Sequence, residues 1–237
     1  MSELRISAKD LGQLALAEFC PRCFWVQRRA PKGVPFQIFP GIFSSIDSYT
    51  KKVVHQHFDV HGRAPDWLAP LAPITGYREA PHHSKFNVRH AATDILLTGT
   101  LDAIFERPDG TLVFADYKTA RFTGTQDALL PMYEVQLNAY AYIAAALRWE
   151  PVSALALIYM EPETDREHAH PGKAGRTSGF SMGFAAKVLP LELAPSRVEP
   201  LLQRTREIVE RAAPPDGRPG CKDCARLEGI VGLLARE

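Results

Sequence analysis

The sequence predicts an α/β or α+β fold, with helices flanking a central sheet. Three observations carry this. TDILLTGTLDAIFERPDGTLVFADYKTA, in the middle of the chain, reads as two β-like runs around a turn. DALLPMYEVQLNAYAYIAAALRWE follows it and reads as a long helix, with Pro131 in or near its first turn. Amphipathic patterns toward both ends supply further helices to cover a sheet.

Taken in order, Ser7 and Asp10 form an N-cap with an acid close behind it. Leu11, Leu14, Ala15 and Phe19 then recur at helical spacing. Pro21 should end or kink that helix, with FWVQRR continuing it to Ala30. APKGVPFQIFPG, punctuated by Pro31, Pro35 and Pro40, reads as loop. A helix is expected from Ile42 to about Val60, with Ile46, Tyr49, Val53 and Val54 as its apolar side. Residues 61–85, rich in Pro and His, read as irregular. After the long helix, SALALIYME reads as a buried strand and FSMGFAAKVLPLEL as a second strand. SRVEPLLQRTREIVERAA reads as an amphipathic helix, and APPDGRPG as a linker into CKDCARLEGIVGLLARE. No domain boundary stands out, so residues 1–237 read as one domain.

Net charge is +1 over 237 residues, so the surface as a whole does not mark a nucleic-acid binder. An anionic partner must be met by local clusters: Arg28, Arg29 and Lys32 form one, Lys51 and Lys52 another. Both also read as solvated helix faces. No apolar run is long enough to span a membrane, and MSELRISAKDLGQL lacks the apolar core of a signal peptide. The expected location is therefore cytoplasmic, with no membrane partner.

The turn between the β-like runs is Arg107-Pro108-Asp109-Gly110-Thr111. Pro suits the first central position of a type I turn, Asp the second, and Gly the left-handed position after them. The three-residue loop fixes the register: Arg107 faces Thr111, Asp102 faces Asp116, and Thr100 faces Lys118. Two opposed carboxylates repel unless a proton or cation lies between them. A divalent metal with oxygen ligands is the simplest such cation. Lys118, on the same face, can polarise a bound water or an anionic substrate oxygen; it can also simply pair with Asp116. Gln136 and Tyr140, four apart, share a helix face with Tyr133 one turn earlier.

These residues resemble a known family. Gly99-Thr100-Leu101-Asp102, then Asp116-Tyr117-Lys118, then Gln136-Leu137-Asn138-Ala139-Tyr140 match the order G-x-x-D, (D/E)-x-K, Q-x-x-x-Y of the PD-(D/E)XK nuclease superfamily. The match is to its RecB-like branch, which includes CRISPR-associated exonucleases and the AddB nuclease domain. The resemblance implies a restriction-endonuclease-like mixed sheet and a metal-dependent phosphodiesterase acting on DNA, on single strands or free ends. It implies Mg²⁺ or Mn²⁺ bound by Asp102, Asp116 and the Tyr117 carbonyl. It makes Lys118 the residue that positions the attacking water, and Gln136 and Tyr140 supports of the site that contact DNA. CRISPR or recombination proteins become the expected partners. Many members carry a His ligand on an upstream helix; here Ser45 stands four residues after Gly41, where that His would be. Asp47, His55 and His57 are the candidates to substitute.

Cys20-Pro21-Arg22-Cys23 and Cys221-Lys222-Asp223-Cys224 contain all four cysteines. In a cytosolic protein, two such pairs favour a four-thiolate metal site over disulfides, and both Zn²⁺ and a [4Fe–4S] cluster accept one. The resemblance favours the structural [4Fe–4S] cluster, with Zn²⁺ as the alternative. Iron–sulfur members usually place one cysteine early and three late; with two and two here, Cys23 takes the missing late ligand's place. Residues 1–30 and 215–237 would then form the cluster region, strapping the termini together.

Overall fold

The computed structural model describes residues 4–30, 41–123 and 128–234. The expected loop at residues 31–40 lies outside them. A five-stranded mixed sheet is the centre of the fold, flanked by helices.

The chain begins with β1 (Leu4–Ser7), which the sequence reading missed. Its four residues carry no alternation long enough to register as a strand. Ser7 then caps α1 (Ala8–Gly12), its Oγ accepting the Asp10 N–H at 3.0 Å. The expected helix does not run through to Ala30. It breaks after a 3₁₀ turn at Gln13–Ala15, and Pro21 starts a new helix, α2 (Pro21–Arg29). A proline lacking an N–H fits the first turn of a helix better than its interior.

Helix α3 (Gly41–His61) forms where expected, but only part of the expected apolar side is buried. Thr50, Val54 and Phe58 point inward, while Tyr49 and Val53 are exposed. Next come β2 (Gly76–Arg78), β3 (Asn87–His90) and β4 (Ile95–Thr98). β2 and two 3₁₀ turns lie inside the stretch that read as irregular. The first β-like run splits at Gly99, and its second half is β5 (Ala103–Glu106). A Cβ on Gly99 would sit 2.7 Å from the Phe86 ring and 2.9 Å from the Tyr140 ring, so only glycine lets the chain pass there.

β6 (Leu112–Lys118) pairs antiparallel with β5 and parallel with β7 (Val152–Pro162). Helix α4 (Leu130–Ala146) crosses between β6 and β7. A short helix α5 (Pro171–Ala174) and the small ribbon β8 (Gly175–Arg176) and β9 (Gly179–Phe180) precede β10 (Phe184–Leu191). Helices α6 (Val198–Val209) and α7 (Lys222–Leu234) close the chain. The main sheet runs β10-β7-β6-β5-β2, and a three-stranded sheet runs β1-β4-β3.

Alternation along β6 sorts the two core layers. Leu112 and Phe114 face α1, α4 and α6; Val113, Ala115 and Tyr117 face Val54 and Phe58 of α3. Asp116, in phase with Leu112 and Phe114, therefore emerges beneath α4. Among the described residues, no helix is long and apolar enough to cross a membrane.

Candidate active site and four-cysteine site

The hairpin register agrees with the turn chemistry. Arg107 N–H donates to the Thr111 carbonyl, Gly110 takes a φ of +80°, and Ala103 pairs with Ala115. Continuing that count by one residue sets Asp102 opposite Asp116, although regular pairing ends at Ala103. There the Asp102 side chain replaces a backbone rung, its Oδ2 accepting the Tyr117 N–H at 3.2 Å.

Asp116 is buried at 3% exposure, so its environment sets its charge. Burial, then the neighbouring Asp102 carboxylate, push its pKa up to about 6, against the pull of Lys118. Gln136 Nε2 donates to Asp116 Oδ1 at 2.8 Å and lies 2.7 Å from the Tyr140 hydroxyl. The i, i+4 spacing on α4 makes this possible. Asp116 Oδ2 lies 2.6 Å from Lys118 Nζ yet accepts no hydrogen bond of good geometry, and Gln136 Oε1 is buried without a partner. Lys118 also sits 3.9 Å over the Tyr133 ring. Lys118 therefore does form the local ion pair, and it does so within a cleft of about 660 Å³ that Asp102, Gln136 and Tyr140 also line.

The N-terminal half of α3 overhangs these strand ends. Asp47 and Lys51, one turn apart, extend the buried stripe of Thr50, Val54 and Phe58 beyond the core. Lys51 Nζ bridges Asp47 Oδ2 at 3.0 Å and Asp102 Oδ1 at 2.8 Å. Burial, followed by the Asp102 charge, raises the Asp47 pKa. Burial acts against the Lys51 ammonium, but Asp102 and Asp47 outweigh it and raise its pKa. Lys51 is thus tied to two of the cleft's acids rather than forming a solvated basic patch.

Of the upstream ligand candidates, Asp47 alone lines the cleft. His55 stacks on Tyr77 at 4.0 Å and reaches Glu79 at 3.2 Å, while the His57 ring lies 4.5 Å from His61. Ser45 is exposed and turns back to the Gly41 carbonyl. The spacing of Asp47 and Lys51 was legible; their orientation over β5 and β6 was not.

Of the other basic cluster, Lys32 lies outside the described residues, and Arg28 and Arg29 have a structural use. Arg28 pairs with Asp10 at 3.0 Å, and Arg29 donates to the Val209 and Arg211 carbonyls. With Trp25 Nε1 donating to the Arg211 carbonyl and Arg22 to that of Pro215, α2 is fastened to the C-terminal segment.

The same fastening brings the cysteines together. Cys20 caps α2, Cys23 lies in its first turn, Cys221 precedes α7, and Cys224 lies in the first turn of α7. Their Sγ atoms all lie within 4.8 Å of one another. Burial opposes ionisation of Cys20, but the Cys23 and Arg218 N–H groups outweigh it and hold its pKa below the usual thiol range. Burial and the neighbouring thiols push Cys23 and Cys224 up. Among the described residues this is the one group of three or more Cys, His, Asp or Glu close enough to share an ion. The carboxylate cleft is looser, with lysines between its acids.

The solved structure described as "Crystal structure of SSO0001" is 16% identical, covers 90% of this chain and 79% of its own, and superposes with a TM-score of 0.45. No curated protein matches. Residues 45–228 match the family model of the PD-(D/E)XK nuclease superfamily, a span that holds the acids, Lys118, Gln136, Tyr140 and the later cysteine pair. The chain belongs to the PD-(D/E)XK nuclease superfamily.

Proposed function

We propose that the protein is a divalent-metal-dependent nuclease of the RecB-like branch that hydrolyses DNA phosphodiester bonds, on single strands or free ends. One observation carries the reading: Asp102, Asp116, Lys118 and Gln136 line a single cleft, held by one hairpin and one helix. The donor set suits a hard cation. Asp102 and Asp116 offer carboxylate oxygens, the family resemblance adds the Tyr117 carbonyl, and Asp116 Oδ2 is buried without a well-formed hydrogen bond. Asp102, Asp116 and the Tyr117 carbonyl would hold Mg²⁺ or Mn²⁺, which would supply charge neutralisation at the scissile phosphate and a water of lowered pKa.

The chain's own residues do the rest. Gln136 fixes the rotamer of Asp116, and Tyr140 fixes Gln136. Lys118, steered by Asp116 and Tyr133, presents an ammonium where phosphate oxygens gain negative charge during attack. Asp47 adds a third carboxylate from α3 in place of the usual histidine. Lys9 and Arg121, exposed on the cleft wall, provide cations for flanking phosphates. The whole chain acts as one nuclease domain, cytoplasmic, alongside CRISPR or recombination proteins.

A second reading, a nucleic-acid-binding module without hydrolysis, is favoured by one feature. Lys51 and Lys118 already neutralise two of the three acids. Labelled single- and double-stranded DNA with Mg²⁺ or Mn²⁺ separates the two. The nuclease reading expects cleavage that falls by about 10²–10³-fold in Asp116→Ala and in Lys118→Ala. Cleavage that survives both substitutions overturns the site assignment. Binding without cleavage by the unaltered protein establishes the second reading.

A further inference from the structure

Four thiols converge from opposite ends of the chain, and their spacing carries information about what they hold. Cys20 Sγ lies 3.5 Å from Cys224 Sγ, Cys23 Sγ lies 3.5 Å from Cys224 Sγ, and Cys23 Sγ lies 3.6 Å from Cys221 Sγ. None of these is a disulfide, whose sulfurs are about 2.05 Å apart. Every pair of the four falls within 4.8 Å.

Two metal groups accept four thiolates, and they demand different spacings. A single tetrahedral ion with metal–sulfur bonds of about 2.3 Å sets its ligands about 3.8 Å apart. A [4Fe–4S] cubane gives each thiolate its own iron, at a separate corner of the cluster. That holds the cysteine sulfurs roughly 6 Å apart. The observed set matches the first and is too tight for the second.

The surrounding backbone keeps it tight. Arg218 N–H donates to Cys20 Sγ at 3.2 Å, so the Gly217–Arg218 segment lies directly on the sulfurs. A Cβ on Gly217 would fall 2.9 Å from Cys224 Sγ. Gly220, with a φ of +69°, makes the turn that returns the chain to Cys221, whose N–H donates to the Arg218 carbonyl at 3.1 Å. Cys20 and Cys224 are buried, while Cys23 and Cys221 are partly exposed.

We infer that the four cysteines hold one tetrahedral divalent ion, with zinc the occupant, and not the [4Fe–4S] cluster that the family resemblance implies. The 2+2 arrangement of C-x-x-C pairs follows the same logic. Each pair spans one tetrahedron edge from one helix start, and the two pairs complete the ion between the chain ends. The ion has no redox role and no free coordination position; it joins α2 to α7.

The test is metal content, which is independent of DNA cleavage. Full-length protein is purified anaerobically from cells supplied with both iron and zinc, then assayed for both metals and for acid-labile sulfide. The expected result is one zinc per chain, no labile sulfide and no visible absorption. X-ray absorption at the zinc edge should show four sulfurs near 2.3 Å and no metal–metal scattering. Cys221→Ser should lower zinc content several-fold while leaving the folded far-UV spectrum. Where that variant fails to fold, Co²⁺ substitution of the unaltered protein should give the spectrum of a tetrahedral tetrathiolate. Iron and sulfide in matching amounts of about four per chain overturn the inference, as does protein isolated metal-free with its cysteines oxidised.

Discussion

The carboxylate cleft and the cysteine group are built on opposite terms. In the cleft each acid meets a charge or donor from the chain itself: Lys51 between Asp47 and Asp102, Lys118 and Gln136 on Asp116. The cleft is therefore self-consistent without an ion, at the cost of a strained charge state on Asp116. The cysteine group packs four sulfurs against one another, with the Arg218 N–H donating to Cys20 Sγ. If all four ionise together, only a cation among them can offset their mutual repulsion. On the two readings proposed above, a cation in the cleft would serve chemistry and exchange freely, whereas one at the cysteines would serve the fold.

The largest effect that tests this contrast is on stability. Cys221→Ser with Cys224→Ser, or a strong chelator, should lower stability by on the order of 3–5 kcal/mol, because the closed loop spans nearly the whole chain. Thermal unfolding with and without chelator measures it. If chelation moves Tm no more in the unaltered protein than in the double variant, the structural role of the ion is wrong.

The cleft predicts the opposite sign. The Asp116 pKa is about 6 in the fold against an ordinary 3.8. Its charged form therefore costs stability that is absent below about pH 4 and full above about pH 6. Asp116→Asn should stabilise the protein without divalent cation by up to about 3 kcal/mol at pH 8, less whatever the Lys118 pair contributed. The advantage should fade as pH drops toward 4. Denaturant titrations at several pH values read it, and a variant less stable than the parent at pH 8 contradicts the charge-strain argument.

The smallest effect sharpens the cleft itself. Asp47→Ala should raise the Mg²⁺ concentration needed for half-maximal cleavage by about 10-fold, in the range for residues supporting a metal site. His55→Ala, whose ring lies against Tyr77 and Glu79, should leave it unchanged. Equal effects from both would remove Asp47 from the site.

How much of this was legible in the sequence follows from the range over which each feature is decided. The register that aligns Asp102 with Asp116 was readable because Pro108, Asp109 and Gly110 determine it within one turn. The Gln136–Tyr140 contact was readable as helix spacing. The break at Gly99 was not. Nothing within residues 95–106 announces that Phe86 and Tyr140 converge on that glycine and divert the chain into a second sheet. The buried face of α3 was misread in part for the same reason: Val53 is as apolar as Val54, and only the position of the sheet chooses between them.

The sequence by itself determined the hairpin, the acid pair on one face, the helix that supports it and the grouping of the cysteines into two pairs. Each depends on contacts within a few residues, where turn chemistry and helical period leave little choice. Tertiary structure alone decided that Asp47 and Lys51 overhang the acids, that β1 pairs with β4, and that the sulfurs close to 3.5 Å. Those distances join segments up to 204 residues apart, and they are set by packing that no local pattern encodes.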